Sequence, residues 1–214
     1  MSALEKLAEK VPEEVYLQAT DVSLKTFQKL IAPVTETTDG LGRYIRQRFD
    51  NMVAIEKALA VHALERACSK VDKIEPLDHP KSFIVALDEA SKETDEVLSE
   101  MWINLLSCQL SNKPINPSFS NTLSNLGRDD AILLDSITSR TEYSKYHQHG
   151  AQDLVDEWVI YPDSSPQPWS NSCTLLCQLK LADVINTPEH KNLRILVRTK
   201  AGDMFLEAVS GRLV

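Results

Sequence analysis

Apolar residues recur every three or four positions through most of the first 140 residues, the spacing that places side chains on one face of an α-helix. One such series begins at Leu41 and predicts a single long helix that continues to Val71. Pro80 suits the first turn of a later helix, and Asp95 suits the N-terminal cap of the next one. The pattern therefore predicts a helical bundle over residues 1–140.

A further capping signal lies near the end of this bundle. The segment from Pro117 to Leu126 has the pattern of a short helix, and Gly127 is predicted to end it in the left-handed conformation that glycine adopts readily. Asp129 is then predicted to cap the following helix. We expect Asp129 and its neighbour Asp130 to stabilise a helix start rather than to form a catalytic pair or a metal site.

The pattern changes after the bundle. Residues 141–170 are rich in polar and aromatic side chains and predict a linker or long loop. In residues 171–214, helical periodicity from Thr174 to Val184 is followed by alternating side chains typical of a strand, and a Thr-x-x-Gly-x-x-Phe step opens another helix. This order resembles the end of a winged-helix domain. The predicted fold class is mainly α, a helical bundle with a small C-terminal winged-helix-like α+β unit.

Composition and charge exclude several classes of protein. Only 6 of the 214 residues are glycine, which argues against Rossmann and P-loop enzymes because their phosphate loops need glycine. A net charge of -8 argues against general binding of nucleic acid or anionic membranes by the whole chain. The sequence shows no signal peptide and no apolar run near the roughly 20 residues that span a bilayer, so we expect a cytoplasmic protein without a membrane span.

The tail has the opposite charge balance, with six basic and four acidic residues in positions 172–214. A basic hairpin in a winged-helix-like unit is a site where such folds contact DNA. The preceding helix offers only Gln178 and Lys180 for this purpose, so packing or dimerisation of the unit is the competing interpretation. The candidate nucleic-acid contacts are Lys191, Arg194, Arg198 and Lys200.

The sequence supplies no recognisable catalytic set. Cys173 and Cys177 share one face of a predicted helix, which leaves a zinc site open, but the absence of a Cys-x-x-Cys knuckle favours buried free thiols. No Ser, His and Asp set or Cys, His and Asp set has the local signature of a hydrolase. We expect no cofactor, no metal and no enzymatic activity.

Two segments carry a family resemblance, DEVLSEMWINLL at residues 95–106 and PSFSNTLSNLGRDDAILL at residues 117–134. They resemble the abortive infection alpha family of bacterial proteins, whose pattern has a Met-Trp-x-Asn-Leu-Leu helix, a Pro-x-Phe step and an Asp-Ala step. The resemblance covers about residues 30–140, although Ile103 stands where the family usually has a small residue. The matching positions are Met101, Trp102, Asn104, Leu105, Leu106, Pro117, Phe119, Leu123, Leu126, Asp130 and Ala131.

The resemblance implies resistance to bacteriophage by sacrifice or arrest of the infected cell. It brings no catalytic residues, so we expect action through a protein partner or self-association. The alternative is a DNA-binding transcriptional regulator that uses the tail. The motif residues are interpreted as structural: Trp102 is expected to pack within the bundle, and Asn104 to pin the loop before Pro117.

Overall fold

The computed structural model describes residues 32, 39–148, 159–162, 169–186 and 194–211. The predictions made for residues 1–31 lie outside the described residues. The described part of the chain is mainly helical with one small antiparallel sheet, which confirms the predicted mainly α class with a small α+β part. The likeness of that part to a winged helix stays a prediction. Its elements are α1 (Asp39–Asn51), α2 (Ala54–Ser69), α3 (Pro80–Ala90), α4 (Glu96–Leu110), α5 (Phe119–Leu123), α6 (Arg128–Ser136), α7 (Arg140–Gln148), α8 (Ser170–Gln178), β1 (Ala182–Asn186), β2 (Arg194–Arg198) and α9 (Lys200–Ser210).

The described chain forms two compact units. Unit 1 lies within Met1–Asn125 and Ala208–Arg212, and unit 2 lies within Leu126–Glu207. The end of α9 therefore belongs to unit 1, although its first residues belong to unit 2.

Unit 1 is built around α4, which packs against α2 and α3, while α5 packs against α3. The side chain of Asp95 accepts hydrogen bonds from the backbone N–H groups of Val97 and Leu98 at 2.9 and 3.2 Å, which confirms the predicted cap. Pro80 is the first residue of α3, as predicted. Local sequence signals thus determine where α3 and α4 begin.

The prediction of one long helix from Leu41 to Val71 is wrong. The chain leaves the helical conformation at Val53, which has φ -72° and ψ 163°, so that α1 and α2 are separate. The N–H of Val53 donates to the carboxylate of Glu56 at 3.2 Å, and this bond helps to start α2. Apolar spacing continues through Met52 and Ile55, both buried, so side-chain periodicity alone gave no sign of the break.

At the start of unit 2, the prediction that Gly127 ends the preceding short helix is wrong. Gly127 has φ -89° and ψ 173°, so it is extended rather than left-handed, and it precedes α6 as the N-cap instead of ending α5. Its N–H donates to the side chain of Asp130 at 2.8 Å. The side chain of Asp130 therefore accepts a backbone N–H at this helix start, whereas the sequence predicted that Asp129 would be the cap.

The sheet of unit 2 pairs β1 with β2 in an antiparallel register, with Ala182 opposite Arg198. The other side of β2 contacts residues 159–161, because Leu196 N–H donates to Val159 O at 2.9 Å and Tyr161 N–H donates to Arg194 O at 2.8 Å. β2 is therefore flanked on both sides, and its central residues are buried.

Two elements of unit 2 differ from the elements that the sequence predicts. The helix expected to reach Val184 ends at Gln178, and Val184 lies in β1. Leu179 is the C-cap of α8, and Lys180 follows it in the left-handed conformation with φ 60°. The N–H of Leu181 then donates to Leu176 O at 2.9 Å. α7 was not predicted from its polar sequence, yet Tyr143 on this helix is buried against β2.

Candidate functional site

The family-motif residues of α4 form part of the core of unit 1. The indole of Trp102 is only 2% exposed, which places it in the core as predicted. Pro117 is exposed at the start of the segment that leads into α5, while the following Phe119 is buried. The other buried motif side chains of α4 are Met101, Asn104, Leu105 and Leu106.

Asn104 is the polar member of this motif, and both ends of its amide are hydrogen-bonded. Its Nδ2 donates to the backbone oxygen of Val209 at 2.9 Å, and its Oδ1 accepts from Lys70 Nζ at 2.6 Å. The prediction that Asn104 pins the loop before Pro117 is therefore wrong. Asn104 holds the last turn of α9 against α4 instead, because Val209 O is buried and needs a donor.

The same end of α9 makes two further close approaches to α4. Cys108 Sγ donates to Ala208 O at 3.5 Å. Gly211, with φ 66°, lies so near that a Cβ at this position would be 3.0 Å from Asn104 Oδ1. A side chain at position 211 would therefore be strained by both the backbone conformation and the neighbouring amide.

A charged network surrounds this amide. Lys70 also contacts the carboxylate of Glu100, which accepts a hydrogen bond from Arg66 at 2.6 Å. Burial acts to raise the pKa of Glu100, but the hydrogen bond and charge of Lys70, together with Arg66, outweigh it and leave the pKa below its usual range. The ion pairs and Asn104 form one connected polar cluster between α4 and the end of α2. Its shared member is Lys70, the C-cap of α2.

The hairpin residues predicted to contact nucleic acid lie in different environments. Lys191 lies outside the described residues. The guanidinium of Arg194 sits 5.3 Å from the centre of the Tyr161 ring, a cation–π contact. Lys200, at the start of α9, is exposed. Arg194 is therefore the first residue of β2, and Lys200 is the first residue of the helix that follows β2.

Arg198 is committed to contacts within unit 2. Its side chain is 14% exposed, and Nε donates to Asp203 at 2.6 Å. One terminal nitrogen donates to the backbone oxygens of Leu134 and Ile137 at 3.1 and 2.8 Å. These carbonyls come from the end of α6, where a helix leaves its last oxygens without intrahelical partners. Arg198 thus caps α6 across the fold.

Of the two cysteines of α8, Cys173 is buried and Cys177 is half-buried. Burial raises the pKa of Cys173, and burial together with neighbouring Cys173 and Asp183 raises the pKa of Cys177 to about 11. Both sulfurs are therefore protonated near neutral pH, whereas a metal ligand or nucleophile needs the thiolate. Within the described residues, no three His, Cys, Asp or Glu side chains are grouped so as to hold a metal ion.

His62 lies half-buried on α2. Burial and the nearby charge of Arg66 lower its pKa, so the imidazole is neutral at physiological pH.

The sequence model of the family described as abortive infection alpha matches residues 44–208, more than three quarters of the chain. The chain belongs to this family. The match contains the whole motif helix α4 and also runs through unit 2, beyond the segment near residues 30–140 that carries the sequence resemblance. The abortive infection alpha family therefore accounts for both units.

No curated protein and no solved structure matches the chain significantly. In the described ranges of this abortive infection alpha protein, every helix is too short or too polar to cross a membrane.

Sequence reasoning found the motif residues of the family but missed their partners. Lys70 and Glu100 were not singled out, and neither was Val209, which lies 105 positions from Asn104. No local signal marks these residues, because their role depends on the packing of α2, α4 and α9.

Proposed function

We propose that this protein defends bacteria against phage by abortive infection, and that it acts through protein contacts rather than catalysis. The observation that carries the proposal is the family match over residues 44–208. The polar side chain of the family motif supports a structural role, because Asn104 forms hydrogen bonds with Val209 and Lys70. A defence role that depends on the surface of the folded protein agrees with this use.

Unit 2 offers apolar side chains for such contacts. Trp169, immediately before α8, is 38% exposed, and tryptophan is among the residue types that carry most binding energy in protein interfaces. The other large apolar side chains of unit 2 that are exposed in the described residues are Ile132, Ile160 and Met204.

Phage challenge of a susceptible bacterium that expresses the chain tests the proposal. We expect fewer plaques at low phage input, and collapse or arrest of the culture at high input. Trp169→Ala is expected to weaken protection, while Trp169→Phe retains it, and the melting temperatures of both variants separate loss of contact from loss of stability. If the strain that expresses the wild-type chain is fully sensitive to a broad phage panel, the defence role is contradicted. If Trp169→Ala protects fully, the defence role stands and the proposed contact through Trp169 is contradicted.

The second candidate is a DNA-binding regulator, favoured by the order of α8, β1, β2 and α9 and by the cations Arg194 and Lys200 beside the hairpin. A gel-shift assay on random duplex DNA discriminates between the two functions. A salt-sensitive shift that is lost on Arg194→Ala with Lys200→Ala supports the regulator. The charge-matched control changes the exposed cations Arg46 and Lys73 of unit 1 to alanine.

A further inference from the structure

Unit 1 contains a cleft at the start of α3, which we name the α3 cleft. Its volume is about 510 Å³, within the range of small-molecule sites. A smaller cavity of about 20 Å³ adjoins it and shares Asp78, His79, Ser82 and Pro117 as walls. The apolar wall of the cleft consists of Pro80, Val85 and Pro117, and its polar side chains include Ser82, Ser120 and Asn121.

A chain of buried hydrogen bonds joins Gln109, which lines the inner cavity, to two serines that line the cleft. Gln109 Nε2 lies 2.8 Å from Ser82 Oγ, which lies 2.8 Å from Ser120 Oγ. Ser120 Oγ donates to the backbone oxygen of Ser82 at 2.9 Å. Since Ser120 uses its proton on that carbonyl, Ser82 must donate to Ser120, and Gln109 must donate to Ser82.

This order determines which end of the Gln109 amide is left over. Nε2 is also 3.4 Å from Ser120 Oγ, so the nitrogen faces the two serines. Oε1 is buried and has no hydrogen-bond partner among the described residues. Gln109 itself is 7% exposed and lines the inner cavity. A buried acceptor in this state costs free energy until a donor reaches it.

The charges near the cleft indicate what kind of donor fits. Asp78 contributes one negative charge, while Lys81 and Lys113 contribute two positive charges to the walls of the cleft and the inner cavity. This balance does not favour a cationic donor such as an amine or guanidinium. A neutral N–H group attached to an apolar body satisfies both Oε1 and the apolar wall.

We propose that the α3 cleft binds a small neutral molecule whose aromatic or apolar body lies on Pro80, Val85 and Pro117 and whose amide or amino N–H donates to Gln109 Oε1. The inner cavity has room for one small polar group, such as the N–H end of the ligand. The site is separate from the polar cluster around Asn104 and goes beyond the proposed defence role.

Paired probes test this proposal on the full-length chain. Benzamide carries the required neutral N–H group, and N,N-dimethylbenzamide has the same body without it. In ¹⁵N-labelled protein, we expect benzamide to cause saturable shifts of the backbone signals of Ser82, Val85 and Ser120. We expect N,N-dimethylbenzamide to bind at least about fivefold more weakly, because it leaves the buried acceptor unpaired.

Two variants locate the site. Gln109→Met keeps the side-chain length without the acceptor and is expected to bind both probes equally. Val85 lies at a half-exposed helix position in the apolar wall of the cleft, so Val85→Glu places a charge there and is expected to abolish binding. The matched control is Val97→Glu, at a half-exposed position of α4, which is expected to retain binding. If Gln109→Met does not fold, the probe pair and Val85→Glu still decide.

The absence of saturable shifts, equal binding of the two probes by the wild-type protein, or benzamide binding retained by Val85→Glu would each overturn the site. Equal binding would mean that a trapped water satisfies Oε1. Because binding is measured on the isolated protein, failure here is independent of the phage assay.

Discussion

Asn104 shows how a single amide supports the packing of distant segments. It joins α4 to the end of α9, 105 positions away in sequence, and also accepts a hydrogen bond from Lys70 on the segment after α2. Both Asn104 and Val209 are buried, so water cannot replace the bond between them. The asparagine of the Met-Trp-x-Asn motif therefore satisfies a buried backbone oxygen of α9.

Asn104→Ala is expected to lower the free energy of unfolding by about 1–3 kcal/mol, because it leaves Val209 O buried without a donor. Urea denaturation followed by circular dichroism measures the change. The control is Asn121→Ala on α5, where the side chain is exposed and the expected change is within about 0.5 kcal/mol. Equal midpoints for the two variants would show that the amide of Asn104 is dispensable.

At the scale of the element, the start of α9 explains the Thr-x-x-Gly-x-x-Phe step. Thr199 Oγ1 accepts from Gly202 N–H at 3.0 Å and itself donates to Lys180 O at 2.7 Å. Gly202 allows the backbone of Leu181 to approach, since a Cβ at position 202 would be 2.0 Å from Leu181 O. Phe205 is fully buried. Each residue of the step therefore has a separate physical role in docking α9 within unit 2.

Gly202→Ala is expected to destabilise the protein by about 1–3 kcal/mol or more, because the new methyl group overlaps a backbone carbonyl. This is opposite to the usual effect of glycine replacement in a helix, where alanine is favoured by about 1 kcal/mol. Thermal unfolding measures both signs in one experiment.

The matched control is Gly40→Ala in α1, where the new Cβ has no contact within 4 Å in the described residues beyond the local helix backbone and the adjacent residues. This variant is expected to be neutral or stabilised by up to about 1 kcal/mol. A raised melting temperature for Gly202→Ala would mean that Leu181 moves aside without cost.

At the scale of the whole molecule, two carboxylates of unit 1 connect stability to pH. Asp88 accepts from Arg48 at 2.9 Å and from Lys92 at 2.7 Å. Burial acts to raise the pKa of Asp88, but the hydrogen bonds and charges of these cations outweigh it and lower the pKa. The pKa of Glu100 is lowered in the same direction by Lys70 and Arg66.

Both groups bind protons less readily in the folded state than in the unfolded state. Their stabilising contribution is therefore complete above the unfolded pKa values of about 4 and is lost as the pH falls through the lower folded values. We expect the free energy of unfolding to decrease from about pH 5 downward, and to decrease less steeply in Asp88→Asn with Glu100→Gln. Urea titrations between pH 3 and 6 measure the slopes.

The control for this pH prediction is Asp72→Asn with Glu207→Gln, which removes two exposed carboxylates. It is expected to keep the wild-type slope. Parallel slopes for the wild type and the Asp88 and Glu100 variant would contradict the assigned ion pairs.

The sequence by itself determined the features that depend on neighbours a few residues apart. Apolar spacing predicted the mainly helical class, Pro80 and Asp95 marked two helix starts, and the Met-Trp-x-Asn motif predicted the family and the burial of Trp102. These signals are readable because helix periodicity and N-terminal caps use hydrogen bonds over three or four positions.

Only the tertiary structure decided the features that depend on distant partners. A glycine between two helices suits either the end of the first or the start of the second, so the sequence did not show which helix Gly127 belongs to. The hydrogen bond from Gly127 N–H to Asp130 places it at the start of α6. The partners of Asn104, the carbonyls capped by Arg198 and the serines that orient Gln109 are all remote in sequence. Packing brings these groups together, and a buried polar atom then takes whichever partner packing supplies, because water is excluded.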